Sequence, residues 1–213
     1  MVAPLDRLTE QNSESLSLPT GAGIVIDLGT GDGRFVYQSA RENPQRFYIG
    51  IDANPKPLRK ISEKIHRNPA RGGAPNVLFL QAAVEDLPEE LNGVADEVHV
   101  HFPWGSLLRA VAVGEELILR NLRRVCAEGA WLEVVIGLDP DKDQTEIARL
   151  GLPEISEGYL AGELIPRYQA AGFDIVDKGV LPATQWREIK SSWAKRLATN
   201  RARVLIYLVG RAL

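Results

Sequence analysis

Cysteine is nearly absent from this chain of 213 residues: it occurs once, as Cys126, in a stretch whose pattern is typical of a helix. A single cysteine has no disulfide partner within the chain, and it excludes a cysteine-based metal site. Long apolar runs are absent too, and residues 1–12 carry charge early without an apolar segment. We therefore expect a soluble protein that is not exported, does not bind membranes and resides in a reducing cytoplasm.

Histidine is also scarce. The three histidines, His66, His99 and His101, show no recognisable spacing of metal ligands, so we expect no bound metal. His99 and His101 alternate on a predicted strand. There a packed side chain is a simpler interpretation than an acid or base in catalysis.

The net charge is small, −3 at pH 7, but it is unevenly distributed. Residues 59–71 carry +4 and residues 187–203 carry +5, which leaves −12 on the rest of the chain. A basic face on an acidic body favours a phosphate-bearing partner, because such binding follows the local patch and not the total charge. Two solvated helix faces are the alternative interpretation of these windows.

Length and composition favour one domain. A chain of 213 residues with 45% apolar and 25% charged positions can bury a substantial α/β core. Residues 1–23 are rich in Ser, Thr, Pro and Gly and show no sustained period, which predicts a flexible or weakly structured extension. The domain itself is predicted to span residues 24–213.

Strand-like apolar runs alternate with helical segments through the first two thirds of the chain. These runs span residues 24–28, 47–51, 77–81, 94–102 and 130–137. Alternation of this kind predicts βαβ units and a parallel sheet.

The last third of the chain has a different pattern. An acidic loop and helix are predicted at 139–149, and a further helix at 160–171. Apolar runs follow at 173–181 and 204–210, with a helix at 189–200 between them. A closing pair of strands joined by an insertion predicts an antiparallel edge of the same sheet.

A glycine-rich turn, DLGTGDG at residues 27–33, directly follows the first strand and precedes a helix. Glycines let the backbone turn tightly and approach a ligand, and the helix N-terminus offers unpaired amides. Asp52 ends the second strand, where a carboxylate can accept hydrogen bonds from ribose hydroxyls. Asp27 and Asp32 disfavour a pyrophosphate and suit the cationic amino-acid end of S-adenosylmethionine. A tight turn without a ligand is the alternative.

A second turn, AAVEDLP at residues 82–88, follows the third strand and could hold an adenine ring. Glu85 is a candidate hydrogen-bond acceptor in that turn. A carboxylate placed at a helix N-terminus to complement the helix dipole is the alternative interpretation.

Tryptophans stand at two candidate substrate positions. Trp104 follows the fourth strand in HVHFPWGSLL, residues 99–108, and ligands of open α/β sheets bind outside the carboxyl ends of strands. Trp193 lies among basic residues in KSSWAKRL, residues 190–197. An exposed indole can stack on a base. A packed structural tryptophan is the alternative for each.

Three segments together resemble a known family. DLGTGDG, FPWGSLL (102–108) and WAKRL (193–197) are similar to the aminoglycoside-resistance 16S ribosomal RNA methyltransferases that modify N1 of adenine 1408. Gly72 and Gly73, after the first basic segment, also match. The resemblance covers residues 24–211 in order. It implies an α/β class I S-adenosylmethionine-dependent methyltransferase with a Rossmann-like, seven-stranded, mostly parallel sheet and helices on both faces, acting on the 30S subunit.

The resemblance also implies roles for individual residues. Trp104 and Trp193 would act as catalytic residues by clamping the flipped adenine. The implied cofactor-binding positions are Asp27, Gly29, Thr30, Gly31, Asp52, Ala83, Glu85 and Ser106. The implied RNA-binding positions are Lys64, Arg67, Arg71, Lys195, Arg196, Arg201 and Arg203.

Some positions depart from the family pattern. Glu63 and Asn68 stand where basic residues are expected, which predicts weaker docking through this segment. The chain before residue 24 also lacks the alternation of the family's N-terminal hairpin.

Other functions are compatible with parts of the sequence. The glycine-rich strand and FYIGID at 47–52 are also similar to transfer-RNA guanine-N7 methyltransferases, although FPWG departs from the Pro-Asp-Pro-Trp type of segment expected there. An NAD-dependent oxidoreductase is disfavoured by the acidic loop and by the lack of a Tyr-x-x-x-Lys pair. A non-catalytic RNA-binding relative would retain the same fold.

Overall fold

A computed structural model of the protein describes residues 18–19, 21, 23–182 and 204–213. Its strands are β1 (Gly23–Leu28), β2 (Arg46–Asp52), β3 (Val77–Gln81), β4 (Ala95–His101), β5 (Cys126–Leu138), β6 (Phe173–Pro182) and β7 (Val204–Ala212). Its helices are α1 (Arg34–Glu42), α2 (Arg59–Ile65), α3 (Gly105–Val113), α4 (Glu116–Val125), α5 (Gln144–Leu150), α6 (Glu157–Tyr159) and α7 (Ile165–Ala170). A π-helical turn, Leu160–Leu164, joins α6 to α7.

The strands form one seven-stranded sheet in the order β3-β2-β1-β4-β5-β7-β6. Pairing is parallel from β3 to β5, and β7 runs antiparallel to both of its neighbours. The expected mostly parallel sheet with an antiparallel edge pair is therefore confirmed. β1 is buried along almost its whole length, as a central parallel strand covered on both faces should be.

Helices cover both faces of the sheet. Side chains alternate along a strand, so Val25 and its neighbour Ile26 point to opposite faces. Val25 belongs to an apolar cluster with residues of α1 and α2, such as Val36 and Ile65. Ile26 belongs to a second, larger cluster that includes residues of α3, α4 and α7, such as Leu119.

Two local predictions were wrong at the boundaries of elements. Cys126 was expected in a helix, but it is the first residue of β5 and follows the last residue of α4 directly. Phe102 was expected at the end of a strand, but β4 ends at His101 and Phe102 has a positive φ of 51°. The reversal at Phe102 directs the following segment across the end of the sheet.

Other predictions fall outside the described residues. These include the helix at 189–200 and all but a few residues of the extension at 1–23. Within the described ranges, no helix has the length and apolar character needed to cross a membrane.

The connections set the position of the site. From β1 the chain moves outward to β2 and β3, then returns to place β4 on the other side of β1. The carboxyl ends of β1 and β4 therefore border a crevice, since the connections leave them in opposite directions.

Candidate cofactor and substrate site

A cleft of about 460 Å³ lies at the carboxyl ends of β1, β2, β3 and β4. Loops that follow these four strands line it. All eight residues expected to bind a cofactor are among the lining residues, as is Trp104. The structure therefore brings together positions as far apart in the sequence as Asp27 and Ser106.

The glycine-rich turn is held close to the second strand. The amides of Gly29 and Thr30 both donate to the carbonyl of Ile51, at 2.8 and 3.0 Å. Gly29, Gly31 and Gly33 have φ values of 73°, 59° and 69°, which L side chains rarely adopt. Glycine is needed here because the loop must reverse between β1 and α1 without a side chain in the cleft.

Asp52 ends β2 and faces the glycine-rich turn. Its Oδ2 accepts a hydrogen bond from the Gly31 amide at 2.8 Å, and its Oδ1 accepts one from the Asn54 amide at 2.8 Å. The carboxylate is thus oriented by the backbone on both sides. Each oxygen retains acceptor capacity, which suits a pair of ribose hydroxyls.

Asp27, the last residue but one of β1, is buried beneath the turn. The hydroxyl of Thr30 donates to its Oδ2 at 2.6 Å. Burial raises the pKa of the Asp27 carboxyl, while the positive charge of His101 and the hydrogen bond from Thr30 act in the opposite direction. A buried carboxylate at the wall of the cleft suits a cationic ligand group.

The small-residue turn after β3 forms the opposite wall. Ala83 and Glu85 line the cleft, and residues Val84–Asp86 form a short 3₁₀ turn. Asn121 of α4 donates from Nδ2 to the carbonyls of Val84 and Glu85, at 2.9 and 3.1 Å. Sequence reasoning missed Asn121, because a single asparagine within a helix gives no local signal of this contact.

Trp104 stands at the rim of the cleft with 46% of its surface exposed. The alternative of a buried structural tryptophan is therefore wrong at this position. The Phe102 amide donates to the carbonyl of Val135 at 2.7 Å, which fixes the segment before Trp104 to β5. Ser106, in the first turn of α3, also lines the cleft.

Glu146 of α5 interacts with the backbone of Gly105, directly after Trp104, and Arg149 of the same helix binds Glu146. A hydrogen bond from Arg149 lowers the pKa of the Glu146 carboxyl, and the backbone amide of Gly105 contributes in the same direction. Arg149 binds this carboxylate through two nitrogens, each at 2.7 Å. The sequence placed both residues on a helix, but the contact of Glu146 with Gly105 depends on how that helix packs.

The first basic segment forms α2 and the turn that follows it. The amine of Lys64 lies 4.3 Å from the centre of the Tyr37 ring, and the Tyr37 hydroxyl donates to the carbonyl of Gly72 at 2.7 Å. Arg67 and Arg71 are exposed. A Cβ on Gly73 would lie 1.7 Å from the carbonyl oxygen of Arg67, so the paired glycines are required for the turn to close.

The second basic segment cannot be placed in the same way. Trp193, Lys195, Arg196, Arg201 and Arg203 lie outside the described residues. Their expected contacts with the adenine and with RNA stay predictions.

A cluster of ionisable side chains adjoins the cleft. His101 approaches Glu133 at 2.5 Å through Nε2, and Nδ1 of His99 lies 3.5 Å from the same oxygen. Burial lowers the pKa of His99, but Glu133 and Glu97 outweigh it and raise that pKa to about 9. Burial raises the pKa of Glu133, but the two histidines hold it well below its ordinary range. Sequence reasoning missed this cluster.

The cluster also bears on the expectation of no metal. Possible ligand atoms of His99, His101 and Glu133 lie within 4.8 Å of one another, a grouping that the histidine spacing alone did not suggest. Here hydrogen bonding and charge pairing join the three side chains directly. The absence of a metal stays a prediction.

Comparison with known proteins gives the family. The model of the NpmA family, 16S rRNA (adenine(1408)-N(1))-methyltransferase, matches residues 7–212. The chain belongs to this family. An Escherichia coli 16S rRNA (adenine(1408)-N(1))-methyltransferase is 40% identical over 191 residues, which cover 88% of this chain and 86% of the relative. The family resemblance found in the sequence is thereby confirmed.

Solved structures of family members share the fold. The aminoglycoside resistance methyltransferase NpmB1 is 47% identical, with a TM-score of 0.77 over 90% of this chain and 87% of the other. A tryptophan-to-alanine mutant of the enzyme from Catenulisporales acidiphilia, solved with its cosubstrate S-adenosylmethionine, is 36% identical. Its TM-score is 0.80 over 90% of this chain and 86% of that one. The expected class I methyltransferase fold is confirmed.

The transfer-RNA alternative has much weaker support. A tRNA (guanine-N(7)-)-methyltransferase from a Geobacillus strain is 32% identical over 84 residues, which cover 38% of this chain and 36% of the relative. This similarity covers little more than a third of either chain. Membership of an rRNA methyltransferase family also decides against the NAD-dependent oxidoreductase.

Proposed function

We propose that this chain transfers the methyl group of S-adenosylmethionine to N1 of adenine 1408 in 16S rRNA, within the 30S subunit, and so confers aminoglycoside resistance. One observation carries the proposal beyond family membership. The described cofactor positions line a single cleft, and an exposed Trp104 stands at its rim. The chain thus retains both a site for the methyl donor and a surface on which a base can stack.

The residues fit S-adenosylmethionine part by part. Asp27 would pair with the cationic amino group, and Asp52 would accept hydrogen bonds from the ribose hydroxyls. Ala83 and Glu85 would border the adenine. Gly29, Thr30, Gly31 and Ser106 would line the remaining wall. The cleft volume of about 460 Å³ is in the range of sites for ligands of this size.

Methyl transfer to N1 depends mainly on positioning. Neutral adenine has a lone pair on N1, so its attack on the methyl group of the sulfonium requires no earlier removal of a proton. The base must leave its stack and lie in line with the methyl group. Trp104 supplies one face for it, and Trp193 is proposed to supply the other. We assign no general base.

Substrate recognition is proposed to use two basic segments. Lys64, Arg67 and Arg71 form the described one, and Lys195, Arg196, Arg201 and Arg203 belong to the second. Basic side chains that neutralise phosphates bind a folded RNA surface without reading its sequence. Recognition of a folded RNA surface fits the assembled 30S subunit as the substrate. Trp104 and Trp193 would then select the adenine.

The test is a transfer assay with labelled S-adenosylmethionine and three separate substrates: 30S subunits, stripped 16S rRNA and transfer RNA. Primer extension then locates the methyl group. A stop at adenine 1408 on 30S subunits alone is expected. Label on transfer RNA alone would favour the guanine-N7 alternative. Cofactor binding without transfer to any substrate would indicate a non-catalytic relative.

Resistance is tested separately in a drug-sensitive Escherichia coli strain. Expression of the chain is expected to raise the minimum inhibitory concentrations of kanamycin and apramycin. A matched Trp104→Ala strain that produces equal amounts of protein should stay sensitive. Resistance in both strains would show that the resistance does not depend on methylation by this chain.

A further inference from the structure

The face of the sheet beneath α1 is polar next to the cleft. In the register of the strands, Asp27 of β1 lies opposite His99 of β4, and His99 lies opposite Glu133 of β5. His101 is two residues beyond His99, so it points to the same face. Phe35 of α1 packs edge-on against both imidazoles, with ring centres 5.2 Å from His99 and 4.8 Å from His101. The two imidazoles therefore lie between the sheet and α1.

His101 connects this cluster to the cleft. Its side chain is only 5% exposed, and it lines the cleft together with Asp27. The Nε2 atom is anchored to Glu133 at 2.5 Å. Within the described ranges, the buried Nδ1 atom has no hydrogen-bond partner. The ring thus acts on Asp27 through its charge and not through a direct hydrogen bond.

Asp27 needs such a neighbour. Burial raises the pKa of its carboxyl, and a protonated Asp27 would carry no charge to pair with a cationic group. His101, the hydrogen bond from Thr30 and His99 favour the ionised form, whereas Asp52 opposes it. His101 gives the largest of these favourable contributions.

We propose that His101, anchored by Glu133, is a positioning residue that keeps Asp27 ionised and thereby holds the amino-acid end of the cofactor. The inference rests on the proposed function, because it assumes that Asp27 pairs with the amino group of S-adenosylmethionine. Glu133 fixes the ring, and Phe35 excludes water from one side of it. His101 is not assigned a proton-transfer role in the reaction.

The charged groups near His101 and Asp27 come from four strands. Asp27 lies on β1, Asp52 on β2, His99 and Glu97 on β4, and Glu133 on β5. Glu97 is paired with Arg46 of β2 at 2.6 Å, and its other oxygen lies 3.4 Å from Nε2 of His99. Beyond these, α1 contributes the uncharged ring of Phe35.

The inference is tested with His101→Gln, which keeps a donor for Glu133 but removes the charge. Calorimetry measures the Kd of S-adenosylhomocysteine, and of 5′-methylthioadenosine, which lacks the amino-acid end, from about pH 6 to pH 8.5. His66→Gln is the matched control, because His66 is exposed in the turn after α2 and His101 lies on β4. A nearby opposite charge shifts a carboxyl pKa by about 1–3 units. We therefore expect the Kd of S-adenosylhomocysteine to rise about tenfold at the acid end.

At the alkaline end the Kd should approach that of the wild type, and the Kd of 5′-methylthioadenosine should stay unchanged throughout. An equal loss of affinity for both ligands would show a structural defect and overturn the inference. An unchanged Kd of S-adenosylhomocysteine at the acid end would also overturn it. A wild-type protein that binds neither ligand would instead refute the proposed function.

A second variant guards against misfolding. Glu133→Gln keeps a hydrogen-bonding group beside His101 but removes the negative charge that pairs with it, and it should weaken S-adenosylhomocysteine binding in the same direction. Elemental analysis of the purified wild type provides an independent check. A stoichiometric divalent metal that is lost in His101→Gln would overturn the charge-based explanation.

Discussion

Gly33→Ala should destabilise the fold far more than the same substitution two residues earlier. The added Cβ would lie 2.7 Å from two ring carbons of Phe79 and 2.9 Å from Cγ2 of Ile61. The ring of Phe79 is 4% exposed, so it cannot move into solvent. A left-handed backbone costs a non-glycine residue about 1–2 kcal/mol, and an extra methyl group in a packed core costs about 1–3 kcal/mol. We expect a loss of about 3 kcal/mol in the free energy of unfolding.

Gly31→Ala is the matched control. Its φ of 59° is close to the 69° of Gly33, but an added Cβ would meet no described atom within 4 Å. Only the backbone cost of about 1–2 kcal/mol should therefore apply. For a protein of this size, each kcal/mol lowers the Tm by about 2–4 °C.

Urea and thermal denaturation of the protein without cofactor measure both effects. The Tm of Gly33→Ala should fall by about 6–12 °C, and that of Gly31→Ala by about half as much or less. Adding Phe79→Leu to Gly33→Ala should recover part of the loss, since the smaller side chain gives the methyl group room. Equal losses for the two glycine variants would refute the reasoning.

Three further predictions concern the site. Trp104→Ala should lower the rate of methylation of 30S subunits about 100-fold or more, while the Kd of S-adenosylhomocysteine changes less than about twofold. Trp131→Ala is the control: this tryptophan is 38% exposed, and its substitution should change neither the rate nor the Kd. Asp52→Asn should raise that Kd about tenfold, because a charge-assisted hydrogen bond to the ribose is lost. It should also lower the Tm somewhat, since Nδ2 of asparagine cannot accept the hydrogen bond of the Gly31 or the Asn54 amide; an unchanged Kd in calorimetry would contradict the assignment. His99 has a folded pKa of about 9, above the ordinary 6.5, so its stabilisation is complete below about pH 6.5 and is lost as the pH rises through 9. Urea denaturation should show this loss in the wild type but not in His99→Gln.

Much of the fold could be predicted because its signals are local. The apolar run of β1, the glycine-rich turn after it and Asp52 at the end of β2 all stand in short segments with a known period or spacing. Loops at the carboxyl ends of parallel strands converge, so residues chosen from separate segments met in one cleft. The same reasoning placed Trp104 beside that cleft.

Errors arose where one pattern continued into the next element. The apolar periodicity of α4 runs into Cys126 without a break, so the sequence contained no stop signal before β5. Phe102 continues an apolar run, but it has a positive φ, and its amide donates to the carbonyl of Val135 on the neighbouring strand. Neither boundary can be recognised without the partner strand.

The sequence by itself determined the class of fold, the cofactor turn and the family, because these depend on short segments in a fixed order. Only the tertiary structure decided which distant side chains meet. His101 and Glu133 are 32 residues apart and touch because of the register between β4 and β5. Asn121 orders the turn at Glu85 because α4 packs against it. Register and helix packing result from the burial of the whole core, and no local pattern specifies them.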